Sequence, residues 1–281
     1  MLLHYFLPQP ALREYVRLLQ LIHLDFTGAP VVPVKASWPR PENCLAVYPR
    51  DSETVTYTDT GLTSAKGRSA LIGQPTVVTN RQVGRHCLVF QVVFQPGALF
   101  RLTGIPAYEL TNTFVDAEAV FSAEIRRVNE RLSSTDAYPV MIDIVESFLL
   151  YLVSRTQKER RPIDAVSLTL LNRSRAGLYR PPTVDELAQA SCLSPKQFGR
   201  QSLERLGVGP KWYDRVIRFD QAVRHHLANP AKDWLTVALE AGYYDYQHLV
   251  RDFRAFTSLT PAQFAPVDQQ APERTFGLAE S

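Results

Sequence analysis

The sequence predicts a two-domain α+β chain. The N-terminal part reads as a mixed β domain with helices, a barrel and a cupin-like form both being open. The C-terminal part reads as an all-α domain of two helix–turn–helix units joined by a long helix. Three observations carry this reading. Short β-type runs punctuated by Pro, Gly, Asn and Asp fill residues 1–115, helical periodicity takes over from residue 117, and helix-start signals recur beyond Pro162. A length of 281 residues fits about two domains and lets each half bury a core of its own.

Within residues 1–115 the strand candidates are Leu45–Tyr48, Thr54–Thr58, Thr76–Thr79 and Cys87–Phe94, separated by turn-rich PRDSE, TDTGL and VTNRQ. The run Cys87-Leu-Val-Phe-Gln-Val-Val-Phe94 is nearly all apolar, which suits a strand covered on both faces. Helices follow at 117–132 and 138–156, the second with Val140, Ile144, Phe148, Tyr151 and Leu152 at helical spacing. The polar stretch Gln157-Lys-Glu-Arg-Arg-Pro162 marks a boundary. Residues 1–160 are therefore expected to form a sensory or interaction domain, 161–266 a helical domain, and 267–281 a flexible tail.

The helical part is dense in caps. Thr183-Val-Asp-Glu186, Ser194-Pro-Lys-Gln197 and Thr260-Pro-Ala-Gln263 each read as a capping box, in which side chains at both ends satisfy backbone donors. Gly209-Pro210 and Asp233 can start two more helices, and Gly207 and Gly242 stand where a helix end needs a left-handed residue. About seven helices are expected.

Composition excludes more than it selects. Hydrophobic residues make up 45% and charged residues 21%, a globular balance. The formal net charge is +3, with 17 basic and 15 acidic residues in 1–161, 13 and 10 in 162–266, and −2 in the tail. Placement of charge must therefore decide, not its total. Cys44, Cys87 and Cys192 fit no metal spacing and are expected as reduced thiols. The start MLLHYFLPQPALREYV lacks the pattern of a secretory leader, and Val140–Val153 is too short and too charged to span a bilayer. A cytoplasmic protein without membrane contact is expected. His4, His23 and His86 are isolated, and no nucleophile elbow, P-loop or dinucleotide glycine set occurs, so neither catalysis nor a cofactor or metal is expected.

Two stretches carry a sharper chemistry. In TVDELAQASCLSPKQFGRQSLERLG a first helix turns inward Val184, Leu187 and Ala188. A tight turn follows at Ser191–Leu193, and a second helix starts at Ser194 with Phe198 and Leu206 on its buried side. Lys196, Gly199 and Arg200 share another face, where basic groups beside a small residue suit close approach to base edges and phosphates. In DWLTVALEAGYYDYQHLVRDFRAFTSLTPAQF the layout repeats. Val237, Ala238 and Ala241 face inward, Gly242 turns the chain, Asp245 caps, and Leu249, Phe253 and Phe256 form the core face. Gln247, Val250, Arg251 and Arg254 lie opposite, and Gln and Arg are the side chains that read adenine and guanine edges bidentately. A long helix over Pro210–Ala228 joins the units, with Trp212, Ile217, Ala222 and Leu227 as packing residues.

Residues 162–266 as a whole resemble the AraC/XylS-type bacterial transcription regulators. The phrases that carry the resemblance are LSPKQF…LGVGP, RVIRFDQAVRHHL and ALEAGYYDYQHLVRDF…LTPAQF. The resemblance implies a double-stranded DNA partner whose successive major grooves take the two second helices. Lys196, Gly199, Arg200, Tyr246, Gln247, Val250 and Arg251 would then face the groove, with Ser194, Asp245 and Arg254 near the backbone. RNA polymerase would be a further partner, and a homodimer and a small-molecule effector or protein partner of the N-terminal domain are open. The phrases LPQPALREYVR and VVFQPGALFRLTGIPAYELTN resemble the domain that precedes such regions in related bacterial regulators. Three residues depart from the family pattern: Ser202 replaces a buried aromatic, Ser258 replaces a glycine, and Gly199 brings no side chain to the groove. The first unit is thus expected to be packed more loosely than the second. Arg205 and Arg224 are expected as solvated charges, Tyr243 and Tyr244 as packing for the turn, and His225-His226 as capping or surface groups.

Overall fold

Ten antiparallel strands form two sheets, in a computed structural model that describes residues 2–156, 158–177 and 180–273. The strands are β1 (Leu2–Phe6), β2 (Val16–Asp25), β3 (Val34–Ser37), β4 (Cys44–Val47), β5 (Glu53–Tyr57), β6 (Thr63–Ala65), β7 (Ser69–Ile72), β8 (Thr79–Val83), β9 (His86–Phe94) and β10 (Phe114–Asp116). The larger sheet runs β1-β2-β9-β4-β7-β10 and the smaller β3-β8-β5-β6, so the β layer is two open sheets and not a closed barrel. The predicted strands at Leu45, Thr54 and Cys87 are present as β4, β5 and β9. The one predicted at Thr76–Thr79 begins instead at Thr79. Polar Asn80, Arg81 and Gln82 pair there on both sides, with β3 and with β5.

β9 is buried along nearly its whole length and pairs with β2 from Val16↔Phe94 to Asp25↔His86. Over this sheet lie α1 (Ala98–Thr103), α2 (Ala117–Ser133) and α3 (Tyr138–Arg155), with one core that includes Leu19, Leu45, Phe90, Phe121, Ile125 and Phe148. Val140 and Tyr151 of α3 stay exposed, so the buried stripe is carried by Met141, Ile144, Val145, Phe148, Leu149 and Leu152.

Seven helices follow: α4 (Pro162–Arg175), α5 (Val184–Ala190), α6 (Pro195–Leu206), α7 (Pro210–Ala228), α8 (Trp234–Glu240), α9 (Tyr246–Thr257) and α10 (Pro261–Asp268). They build two cores with α7 between them. Ile163, Leu187, Phe198, Leu206 and Ile217 meet in the first. Phe219, Val237, Leu249, Phe253, Phe256 and Phe264 meet in the second.

The helices meet the β layer at several places. Trp38 stacks edge-on against Phe264 with centroids 4.8 Å apart, and Lys35 pairs with Glu273 at 2.5 Å. At the other end the Thr111 hydroxyl donates to the Gly207 carbonyl at 2.6 Å. Gly207 sits at φ +86°, and a Cβ there would meet Thr111 Oγ1 at 2.9 Å, so both conformation and space call for glycine. Within the stretch expected as a flexible tail from residue 267, Asp268, Ala271 and Glu273 are buried against the rest of the chain. Residues 274–281 lie outside the described residues.

Arg205 of α6 and Asp164 of α4 form an ion pair at 2.5 Å, both almost wholly buried. Replacing Asp164 with Ala strands a guanidinium in the interior and should cost about 3–5 kcal/mol. Chemical denaturation of the full chain measures it; a loss under 1 kcal/mol would be the opposite finding, and would mean that Arg205 escapes to solvent.

Candidate nucleic-acid interface

The first unit is built from reciprocal caps. The Glu186 carboxylate accepts from the Thr183 N–H at 2.7 Å while the Thr183 hydroxyl accepts from the Glu186 N–H at 3.2 Å. Ser194 and Gln197 repeat the exchange at 3.0 and 3.3 Å and start α6. Between them the Leu193 N–H returns to the Ala188 carbonyl at 2.9 Å, which closes the turn. α6 buries Phe198, Ser202, Arg205 and Leu206, leaves Lys196 and Arg200 exposed, and half-buries Gly199. A Cβ at Gly199 would meet nothing within 4 Å.

The second unit is a near copy. The Asp233 carboxylate accepts from Leu235 and Thr236 at 3.0 Å, and the Tyr243 N–H returns to the Ala238 carbonyl at 3.0 Å. Asp245 caps α9 by accepting from the His248 N–H at 2.7 Å. α6 and α9 are both 12 residues long, so positions match one to one: Lys196 with Gln247, Gly199 with Val250, Arg200 with Arg251. Gln247, Arg251 and Arg254 are exposed and Tyr246 is half-buried. Val250, predicted on the open face, is only 8% exposed, so its side chain is spent on packing. The turns differ in two respects: the second has one more residue before its cap, and the left-handed residue is not the same type. Four residues after Ala238, Gly242 takes φ +82°, whereas four residues after Ala188 Cys192 takes φ +54°. Ser258 likewise takes the left-handed cap, at φ +61°, that Gly207 takes after α6.

Several single-residue expectations change. Arg205 is not a solvated charge but the partner of Asp164. Arg224 pairs with Asp220 along α7 at 2.5 Å. Tyr243 packs as expected and its hydroxyl donates to Asp252 at 3.1 Å; burial and then the neighbouring carboxylate raise it well above the usual tyrosine range. Tyr244 beside it is 87% exposed. His226 stacks on Trp234 at 3.9 Å, and His225 reaches Glu240 at 2.9 Å. Ser202 is fully buried, with its hydroxyl donating to the Val208 carbonyl at 2.7 Å.

The β layer holds a cavity of about 110 Å³ between its sheets, reached by Lys35, Trp38, Glu53, Arg81, Gln91 and Glu273. Beside it Lys66 is ion-paired with Glu53, and the Tyr48 hydroxyl donates to Glu53 at 2.9 Å. Burial lowers Lys66 to about 8; it works to raise Glu53, but Lys66 and Arg81 outweigh it and hold that carboxyl at about 2. Nothing in the sequence separated these charges from surface ones. Among the described residues no cluster of His, Cys, Asp and Glu is placed to hold a metal, and no helix is long and apolar enough to cross a membrane.

Residues 187–266 match the family described as a helix-turn-helix domain. A stretch of 88 residues is 30% identical to the HTH-type transcriptional regulator ArgR of Pseudomonas aeruginosa. It covers 31% of this chain and spans only 26% of that regulator's length. Among solved structures, apo ToxT from Vibrio cholerae aligns over 90% of this chain and 97% of its own, with 11% identity and a TM-score of 0.49. The AraC-like transcriptional activator CuxR aligns over 85% and 91%, with 12% identity and a TM-score of 0.26.

The buried hydroxyl of Ser202 sets a stability test. Ser202 is buried and its hydroxyl bonded, so Ser202→Phe should destabilise the protein by about 1–3 kcal/mol through overpacking. Thermal unfolding reads the shift, and a raised midpoint would reveal an unfilled space.

Proposed function

From a C-terminal region that matches a helix-turn-helix domain family, we propose that this chain is a sequence-specific DNA-binding transcription regulator of the AraC type. Its two units enter successive major grooves on one DNA face. The observation that carries the reading is the duplication: two 12-residue helices, each capped by a side chain that accepts from the third helical N–H and each preceded by a turn closed by the same five-residue backbone bond, offer open faces at matching positions. Lys196 and Arg200 stand on one, Gln247 and Arg251 on the other.

The units do unequal work. α9 carries the side chains suited to bidentate base reading, whereas α6 has Gly199 between two long cations and serves chiefly as an electrostatic anchor. Tyr246 and Arg254 flank the reading surface, and Ser194 and Asp245 place the two helix N-termini against phosphates. The cavity between the sheets is the place for a small-molecule effector, its mouth bounded by Glu273 from the C-terminal segment. Contact with RNA polymerase, self-association and action in the cytoplasm complete the reading.

Randomised-site selection on the full protein tests it, since two groove contacts lie about one helical turn apart. One sharply defined half-site and one diffuse half-site are expected, and no enrichment at all would refute the function. Arg251→Ala and Gln247→Ala should each relax preference at particular base pairs, by about 1–3 kcal/mol. Gly199→Ala separates fold from function. It should stabilise α6 by about 0.5–1 kcal/mol, because the site is open, yet weaken DNA binding, because the groove edge comes close. Unchanged DNA affinity in that variant would place Gly199 away from the groove.

A further inference from the structure

The segment between α3 and α4 is gripped at its backbone. Arg101 of α1 donates through Nε to the Lys158 carbonyl at 3.3 Å, and Arg205 of α6 donates through Nη2 to the Glu159 carbonyl at 3.4 Å. The Arg161 N–H donates to Asp164 at 2.9 Å, which fixes the far end. With the carbonyls turned inward, the side chains of Lys158, Arg160 and Arg161 are left exposed. The Lys158 ammonium lies 4.0 Å from the centroid of the Phe100 ring, a cation–π contact that holds it in place. Among the described residues none of these three cations has a carboxylate partner, and neither has Arg200.

These groups border the first reading helix. An open cleft is lined by Lys158, Arg161, Phe100 and Tyr108 together with Arg200 and Leu203 of α6. Tyr108 is 53% exposed and has a hydroxyl to donate. Glu159 and Glu204 also line the cleft, so its excess of positive charge is small and its effect must be local. A helix about 10–12 Å across fills a major groove about 12 Å wide, so what stands at its flank stands beside the phosphate backbone. A cation already held by the fold, as Lys158 is by Phe100, loses little freedom on meeting a phosphate.

We propose that Lys158 and Arg161, with the Tyr108 hydroxyl beside them, form a phosphate-binding ledge that grips the DNA backbone next to the groove entered by α6. The inference rests on the DNA-binding reading above and extends it from the helix–turn–helix units to the segment that precedes α4 and to the β layer.

The experiment measures dissociation constants of the full chain against salt, on a selected duplex and on an unrelated one. The double variant Lys158→Gln/Arg161→Gln should lower the salt slope by about two, with equal loss on both duplexes and unchanged base preference. Arg127→Gln/Arg131→Gln on α2 removes the same charge elsewhere and should leave the slope unchanged. The ledge is overturned if its double variant keeps the wild-type slope. It is overturned equally if affinity falls without a slope change, which marks a structural role, or if the α2 variant lowers the slope as much, which marks net charge alone. Should the wild-type chain select no duplex, the DNA-binding reading fails first and the ledge with it. A Tyr108→Phe variant should weaken both duplexes equally, a loss that alteration of α6 packing would accompany with a lowered unfolding midpoint and a hydroxyl–phosphate contact would not.

Discussion

The buried pair of Arg205 and Asp164 is the constraint on which the arrangement of the helices depends. Arg205 leaves α6 on its buried side, meets Asp164 at 2.5 Å, lies 5.1 Å from the centroid of Phe100 and donates to the Glu159 carbonyl. One side chain thus ties together α4, α6, α1 and the segment joining the halves. A guanidinium removed from water is tolerated only with such partners. The surrounding backbone conforms to the pair: Gly97 is at φ +78°, and a Cβ there would lie 2.1 Å from Asp164 Oδ1.

Laying α6 on α9 shows what that pair replaced. Ser202 and Arg205 occupy the positions of Phe253 and Phe256. The second unit therefore closes over aromatic rings, with Phe219 5.0 Å from both Phe253 and Phe256. The first closes over a hydroxyl bonded to Val208 and a guanidinium bonded to Asp164. Hydrophobic contact is non-directional and tolerates small shifts, whereas hydrogen bonds and ion pairs fix angles. The looseness that a serine suggests at position 202 is thus offset by directional bonds, and those bonds run toward the β layer.

How much could be read from sequence follows the range of the interactions. Caps are local, so Thr183, Ser194, Asp233 and Asp245 gave the helix starts within a residue. The repeated spacing likewise placed Lys196, Arg200, Gln247 and Arg251 on open faces. Val250 was misplaced because helical spacing alone does not show how wide the buried stripe is. β2 escaped notice because Arg17, Gln20 and His23 interrupt its apolar pattern, although its pairing with β9 buries much of it. Helical spacing puts Arg205 seven residues after Phe198, on the buried side, and Arg200 opposite, but the charge of Arg205 argued for solvent. The partner that satisfies its guanidinium, Asp164, lies 41 residues earlier and could not be read locally.

The two units are also attached to the β layer by different chemistry. The first hangs on hydrogen bonds and charge, through Thr111 to Gly207 and through the arginine-gripped carbonyls of Lys158 and Glu159. The second rests on an aromatic contact, Trp38 against Phe264, and on the pairing of Lys35 with Glu273. Lys35, Trp38 and Glu273 all border the cavity between the sheets, while none of the first unit's attachment residues does. Any molecule that fills this cavity therefore touches the supports of the second unit directly. The cavity also borders Glu42, which shares a neighbouring cleft with Arg175 of α4, and α7 packs into both helical cores. The cavity thus borders the Lys35 and Trp38 supports of the second unit directly, whereas the Arg205–Asp164 pair lies outside its lining.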